Sequence, residues 1–290
     1  MALLFYRIRK NVIDMRGLIR LNDYTKAEIS EIFQIADMLC VGAYSDELRG
    51  KTIALFFPLS SIRTRITFEK GIHQLGGQSI LFPPESLDKK ESIQDVAGYL
   101  NNWCDAVVIR HKNIEVLHEF RKYADFPVFN AMTDSNHPCE ILSDLYALSK
   151  CRRDFLNDQY LFCGARGNIG LAWKEAAEVL HFSLTQCCPA GYEIPGIPVQ
   201  HDLRAAIAGK DIICTDSLPE ACLADFKQYQ ITKEIMELAN QAALLNPCPP
   251  FFRGEEVSAD VIDSPYFVGY TFKRNLIEVQ QAVMIFGLIK

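Results

Sequence analysis

From about residue 50 onward, apolar runs of strand length alternate with longer segments of helical period, and no other feature constrains the fold as strongly. Lys51–Phe57, Gln78–Phe82, Ala106–Arg110 and Pro127–Asn130 predict strands, with helices expected between them over Arg65–Leu75, Ser92–Trp103 and Ile114–Ala124. The rhythm repeats, with strands expected at Gln159–Cys163, Phe182–Cys187, Asp211–Cys214 and Ala243–Leu245. Strands interleaved with helices imply parallel sheets covered by helices on both faces. A chain of 290 residues exceeds one usual compact core, so two such units are expected. The predicted fold class is α/β: two doubly wound parallel-sheet domains joined by two crossing helices. Residues 1–136 form the first domain, completed by a C-terminal helix over 275–290, and residues 137–274 form the second. The crossing helices are expected at Cys139–Leu148 and Leu276–Leu288.

Several function classes are excluded early. The formal net charge is −6, which leaves no basic surplus for displacing counterions from nucleic acid. The longest apolar runs are strand-sized and too short to cross a bilayer, so no membrane partner is expected. Met1–Arg7 mixes bases with apolar residues and does not read as a secretory leader. Ten cysteines without a CxxC pair, several of them inside apolar strand runs, read as free thiols of a cytoplasmic protein rather than as disulfides or a zinc site. No metal and no cofactor are expected.

In open α/β sheets, ligands sit at the carboxyl ends of the strands, so the chemistry belongs in the segments that follow them. The first expected strand runs into Ser61-Ile62-Arg63-Thr64-Arg65. Hydroxyl residues stand there where a helix begins, and two arginines lie two positions apart. A helix start offers free N–H groups and partial positive charge, and arginine adds a planar fork for oxyanions. On these residues alone, an anion site and a capped helix with surface arginines stay equally open. Gly164-Ala165-Arg166-Gly167-Asn168-Ile169-Gly170 follows another strand and comes close to a dinucleotide fingerprint. However, Thr185-Gln186-Cys187-Cys188 brings no acidic residue for a ribose, and a nucleotide-binding dehydrogenase leaves Ser61–Arg65 and His137 unexplained.

Ser61-Ile62-Arg63-Thr64-Arg65 resembles the Ser-Thr-Arg-Thr-Arg motif of the aspartate and ornithine carbamoyltransferases, and further pieces follow in that family's order. Lys90-Glu91-Ser92 resembles its Lys-Glu-Ser/Thr loop, and Arg110 ends a strand where the family keeps an arginine. His137-Pro138-Cys139-Glu140 resembles His-Pro-x-Gln, and Leu142-Ser143-Asp144 resembles Leu-Ala-Asp. Cys248-Pro249-Pro250 with Arg253-Gly254-Glu255-Glu256-Val257 is similar to the His-Cys-Leu-Pro and Arg-Gly-Glu-Glu-Val segments of the ornithine branch. The resemblance runs from about Leu18 to Leu288.

It implies transfer of the carbamoyl group of carbamoyl phosphate to an amine. Ser61, Ile62, Arg63, Thr64, Arg65, Lys90, Arg110, His137 and Glu140 would bind the donor. Thr64, Arg110 and His137 would act on the carbamoyl oxygen, and Cys248 would join them as a catalytic group. Asn168, Asp216, Ser217, Cys248, Pro249 and Arg274 would hold the acceptor, which is ornithine or a related amino acid or diamine. The Lys90 loop would reach a neighbouring subunit, giving a homotrimer with shared active sites.

Three departures stand out. Glu140 replaces the family's glutamine, and an ionised carboxylate only accepts hydrogen bonds while adding negative charge beside a phosphate. Pro247 replaces the histidine before Cys248. Ser217-Leu218-Pro219-Glu220 stands where the ornithine branch has Ser-Met-Gly, and Lys273-Arg274-Asn275 matches Glu-Asn-Arg only loosely. These departures sustain a second reading, a catalytically weak paralogue kept for regulatory or structural binding.

Overall fold

The computed structural model describes residues 17–289, so the stretch Met1–Arg7 lies outside the described residues. Two parallel sheets build the molecule. The first has the order β2-β1-β3-β4, from β1 (Thr52–Phe56), β2 (Gln78–Phe82), β3 (Ala106–Arg110) and β4 (Val128–Met132). The second has the order β7-β6-β5-β8-β9, from β5 (Gln159–Cys163), β6 (Ser183–Cys187), β7 (Val199–Gln200), β8 (Ile212–Thr215) and β9 (Leu244–Pro247). The inner strands are apolar on both faces, as parallel strands under helices on both sides must be. All four residues of β8 are buried, whereas the edge strand β2 exposes Gln78 and Ile80.

Side-chain alternation distributes each inner strand between two cores. Ile53 and Leu55 enter one core while Ala54 and Phe56 enter another, and Tyr160 and Phe162 part likewise from Leu161 and Cys163. The shared central core takes residues from both sheets, including Leu55, Tyr146, Phe162, Trp173 and Phe286. Two helices lie within it, α5 (Pro138–Cys151) and α11 (Leu276–Ile289). Each is buried nearly all round, from Pro138 to Leu148 in the first and from Val279 to Gly287 in the second. Such all-round burial is the sequence character of a core helix. α11 packs against α5, α1 (Lys26–Cys40) and α2 (Arg63–Gln74).

Two local features escaped the strand-and-helix rhythm. α1 carries a Thr25/Glu28 capping box and buries Ile29, Ile32, Ile35 and Ala36 at helical spacing. β7 is only two residues long, and its pairing with β6 rather than its own sequence defines it. α2 also begins two residues earlier than expected, at Arg63, so that Arg63 and Thr64 occupy its first turn.

Sheet order then places the ligand crevices. β1 lies between β2 and β3, so the chain reverses direction across the sheet between β1 and β3; the second sheet reverses between β5 and β8. Ligands gather at such switch points, outside the strands' carboxyl ends. Away from them, the N-terminal segment is tied to α6 (Asn168–Leu180) by the buried Glu175, which accepts from Arg20 Nη1 at 2.6 Å and Leu21 N at 3.0 Å. Glu175→Ala leaves that amide without a partner and should lower stability by about 2–4 kcal/mol in urea unfolding. A change below about 0.5 kcal/mol would show that water replaces the carboxylate there.

Candidate active site

Ser61 follows β1 and Arg110 ends β3, on either side of the first switch point. Arg110 Nη1 donates to Ser61 Oγ at 3.0 Å, joining the two strand ends. Ile62 is the N-cap of α2 and supplies no capping side chain, so the donors of the first turn keep no side-chain acceptor. Its own side chain points outward at 65% exposure, so only its backbone faces the turn. Thr64 is buried in that turn. Among the described residues, neither Arg63 nor Arg110 makes an ion pair. Burial lowers the Arg110 pKa, the Arg63 charge lowers it further, and Glu140 acts in the opposite direction. Two guanidiniums in mutual repulsion at an uncapped helix start form a site short of negative charge. Arg65 differs, because its Nε donates to Glu69 Oε1 at 3.2 Å along the same helix.

His137 is the N-cap of α5, with Pro138 in the first turn, and its side chain makes no cap bond. The imidazole is buried, and Nδ1 has no partner among the described residues. Burial takes its pKa down to about 4; Glu140 opposes the shift, while Arg110 and Lys273 add to it. His137 is therefore a neutral hydrogen-bonding group at physiological pH. Glu140 stands one turn further along α5 and Asp144 another turn on, both buried.

The unforeseen member is Lys273. It ends the short turn Tyr270–Lys273 just before α11, and its Nζ lies 2.7 Å from Glu140 Oε1 and also bonds Asp144 Oδ1. Asn246 Nδ2, from β9, donates to Asp144 Oδ2 at 2.8 Å. Burial raises the Glu140 pKa, but Lys273, His137 and Arg63 outweigh it, so Glu140 is ionised. Asp144 is pushed up to about 6, chiefly by burial and despite Lys273, with Glu140 adding to the rise. Arg274 is exposed to solvent, and its neighbour Lys273 is the cation that turns inward. A short helical turn points consecutive side chains in different directions, so adjacent positions do not substitute for each other.

At the second switch point, a cavity of about 340 Å³ opens between the ends of β5 and β8. Asn168, Asp216 and Ser217 line it, together with Arg166 and Asp134, which sequence reasoning did not single out. Asn168 Nδ2 donates to Thr133 O at 2.9 Å, and Ser217 N donates to Asp216 Oδ1 at 2.9 Å. Asp216 is raised to about 7, first by burial and then by Glu256 and Glu140, against the Ser217 amide. The glycine pattern before this cavity has a packing cause. A side chain at Gly170 would meet Ile194 Cδ1 and Phe162 Cε1 at 2.6 Å, so glycine lets α6 lie close on β5. Cys248 is buried, its pKa raised first by burial and then by Glu140 and Asp216, which keeps the thiol protonated. The Pro249–Pro250 bond that follows it is cis. Lys90 stands apart, exposed on its loop. That loop is held near the end of β3 by Asp88, whose Oδ1 lies 2.9 Å from His111 Nε2.

Residues 16–150 match the family described as aspartate/ornithine carbamoyltransferase, carbamoyl-P binding domain. Residues 157–286 match its Asp/Orn binding domain. An ornithine carbamoyltransferase of Geobacter metallireducens is 30% identical, covering 93% of this chain and 98% of its own length. One from Methylococcus capsulatus is 32% identical, covering 94% and 98%. The crystal structure of ornithine carbamoyltransferase from Burkholderia thailandensis superposes with a TM-score of 0.88 at 29% identity, over 94% of this chain and 99% of that one.

The raised Asp216 makes a pH prediction. Between its ordinary value of 3.8 and about 7, the folded chain keeps a proton that the unfolded chain has lost. Stability from this group is therefore full below the ordinary value and is lost as pH rises through the folded one. Asp216→Asn lacks this dependence, so its melting temperature should gain on the wild type's as pH rises from about 4 to 7. A difference that stays flat across that window would place Asp216 in contact with water or a counter-charge.

Proposed function

The chain belongs to the aspartate/ornithine carbamoyltransferase family, and on that premise we propose that it moves the carbamoyl group of carbamoyl phosphate to the side-chain amine of ornithine or a related amino acid or diamine. The products are a ureido compound and phosphate. One observation carries the donor half of this reading. Among the described residues, Arg63 and Arg110 stand without carboxylate partners beside an uncapped helix start, next to a neutral histidine whose Nδ1 is free.

The reaction must hold a dianion, polarise a carbonyl and aim a neutral amine. The first turn of α2 with Arg63 binds the phosphate. Arg110, His137 and Thr64 donate to the carbamoyl oxygen, where negative charge grows as the amine nitrogen attacks the carbonyl carbon. Collapse of that intermediate breaks the carbon–oxygen bond to phosphate, which leaves with the electron pair and takes up the proton that the amine nitrogen sheds. With its pKa near 4, His137 donates as a neutral imidazole and keeps its own proton. Asn168, Asp216 and Ser217 bind the acceptor's amino-acid end, where an ammonium group draws Asp216 into its ionised form. Cys248 serves as a protonated wall of that site rather than as a nucleophile.

The assembly belongs to the same reading. The chain forms a homotrimer in which the exposed Lys90 loop completes a neighbour's donor site, and it works in the cytoplasm in arginine metabolism. All ten cysteines are free, which suits a reducing compartment. The alternative of a catalytically weak paralogue drew on Glu140 and on the altered loop after Asp216. The Lys273 contact weakens the first of these grounds.

Two experiments test the proposal. Ureido product should form from carbamoyl phosphate with one member of a panel holding ornithine, N-acylated ornithines, lysine, shorter diamino acids, putrescine and aspartate. Silence with every amine, despite donor binding, would favour the paralogue. Carbamoyl phosphate at about 100 times its Kd should stabilise the wild type by about 2.7 kcal/mol, and Arg63→Ala should abolish that rise in melting temperature. Unchanged stabilisation in the variant would remove the anion turn from the mechanism.

A further inference from the structure

Glu140 poses a problem that the proposed donor site must solve. It stands one turn from His137, within electrostatic reach of Arg63 and Arg110, and it is ionised. A fixed negative charge there opposes a phosphate dianion. Asp144 adds a second buried carboxylate one turn away. Among the described residues, Lys273 is the one cation bonded to either, and it bonds both. Its side chain is 18% exposed and those of the carboxylates 7% and 2%, so water does little to screen the cluster.

We propose that Lys273 is a positioning residue of the donor site, and that Glu140 and Lys273 together act as one neutral hydrogen-bonding unit equivalent to a side-chain amide. The inference rests on the donor-binding reading above. An amide offers an acceptor oxygen and N–H donors at no net charge, and the pair likewise offers a carboxylate oxygen and an ammonium N–H. Glu140 Oε1 is held by the ammonium, leaving Oε2 to accept from the donor's carbamoyl NH2, while the ammonium offsets the charge of Glu140 and leaves the cluster with no more negative charge than Asp144 alone would bring. Asn246 holds the far oxygen of Asp144, so the second carboxylate steadies the ammonium from the other side. The same contacts answer a further requirement. A neutral amine beside carbamoyl phosphate would itself be carbamoylated. Burial alone would favour that neutral form, but Asp144 and Glu140 raise the Lys273 pKa and keep it an ammonium without a lone pair. Clustering buried charges is a poor source of stability, since desolvation consumes most of the Coulomb gain. The arrangement is better explained by the ligand beside it.

The test is a mutant cycle on the full-length chain, read by calorimetric titration with phosphonoacetamide, an unreactive phosphonate analogue of carbamoyl phosphate. Lys273→Met strands Glu140 as an uncompensated charge and should weaken binding by at least about tenfold, or 1.4 kcal/mol. Glu140→Gln should bind at least as tightly as the wild type. The double variant Glu140→Gln/Lys273→Met should return to within about threefold of Glu140→Gln, because a real amide no longer needs the lysine. Rescue of that kind is something a merely structural lysine would not produce. Should Lys273→Met fail to fold, the comparison of Glu140→Gln with the double variant decides alone. Near-equal affinities support the amide-equivalent pair, and a loss of about tenfold or more in the double variant overturns it. Unimpaired binding by a folded Lys273→Met overturns it as well. Absence of binding by the wild type instead overturns the donor-site reading, and this inference with it.

Discussion

Burial of both faces of two parallel sheets is the constraint from which the rest follows. Once helices cover the faces, the strand ends are the places where polar side chains can collect in numbers. Parallel pairing sends the carboxyl ends of β1 and β3 to one side of the first sheet, and those of β5 and β8 to one side of the second. Each sheet reverses its strand order between those strands, which opens a crevice. The anion turn and Arg110 border one crevice, and Asn168 and Asp216 border the other. α5 and α11, buried within the shared core, bring His137, Glu140 and Lys273 between them.

Charge is handled differently in the parts of this site. At the first crevice, Arg63 and Arg110 have no carboxylate partner among the described residues, and their mutual repulsion is a cost that an anion would relieve. In the middle, Glu140 and Lys273 neutralise each other at close range. At the acceptor end, Asp216 is poised near neutrality and can ionise when a cation arrives. Burial is common to all of them. It lowers the His137 pKa, raises those of Asp216 and Cys248, and strengthens the Lys273 contacts by excluding water.

The legible part of the site consisted of residues that act within a few positions of a strand end or helix start. Ser61–Arg65 and His137 belong there, because their places at helix starts depend on local backbone geometry that the sequence pattern announces. α1 carries its own local signal in the Thr25/Glu28 box and the isoleucine spacing, and it lies before the strand rhythm that begins near residue 50. Lys273 was not legible. It lies 133 residues from Glu140, in a short turn where only the packing of α11 decides which of Lys273 and Arg274 faces inward. Asp134 was hidden for a similar reason, since it lines the second cavity from a loop with no pattern of its own, and Arg166 stands in the glycine-rich run at a position whose side chain that pattern does not specify.

Sequence alone determined the α/β class, the two-sheet plan and the helix start that follows β1, because hydrophobic periodicity and helix-start chemistry act over short stretches of chain. Tertiary structure decided strand order, the place of the second cavity, and the pairing of Glu140 with Lys273. Strand order and the cavity depend on contacts between elements that local pattern does not connect, the Glu140–Lys273 pairing joins positions 133 residues apart, and burial sets the protonation state of each group only once the chain has closed around it.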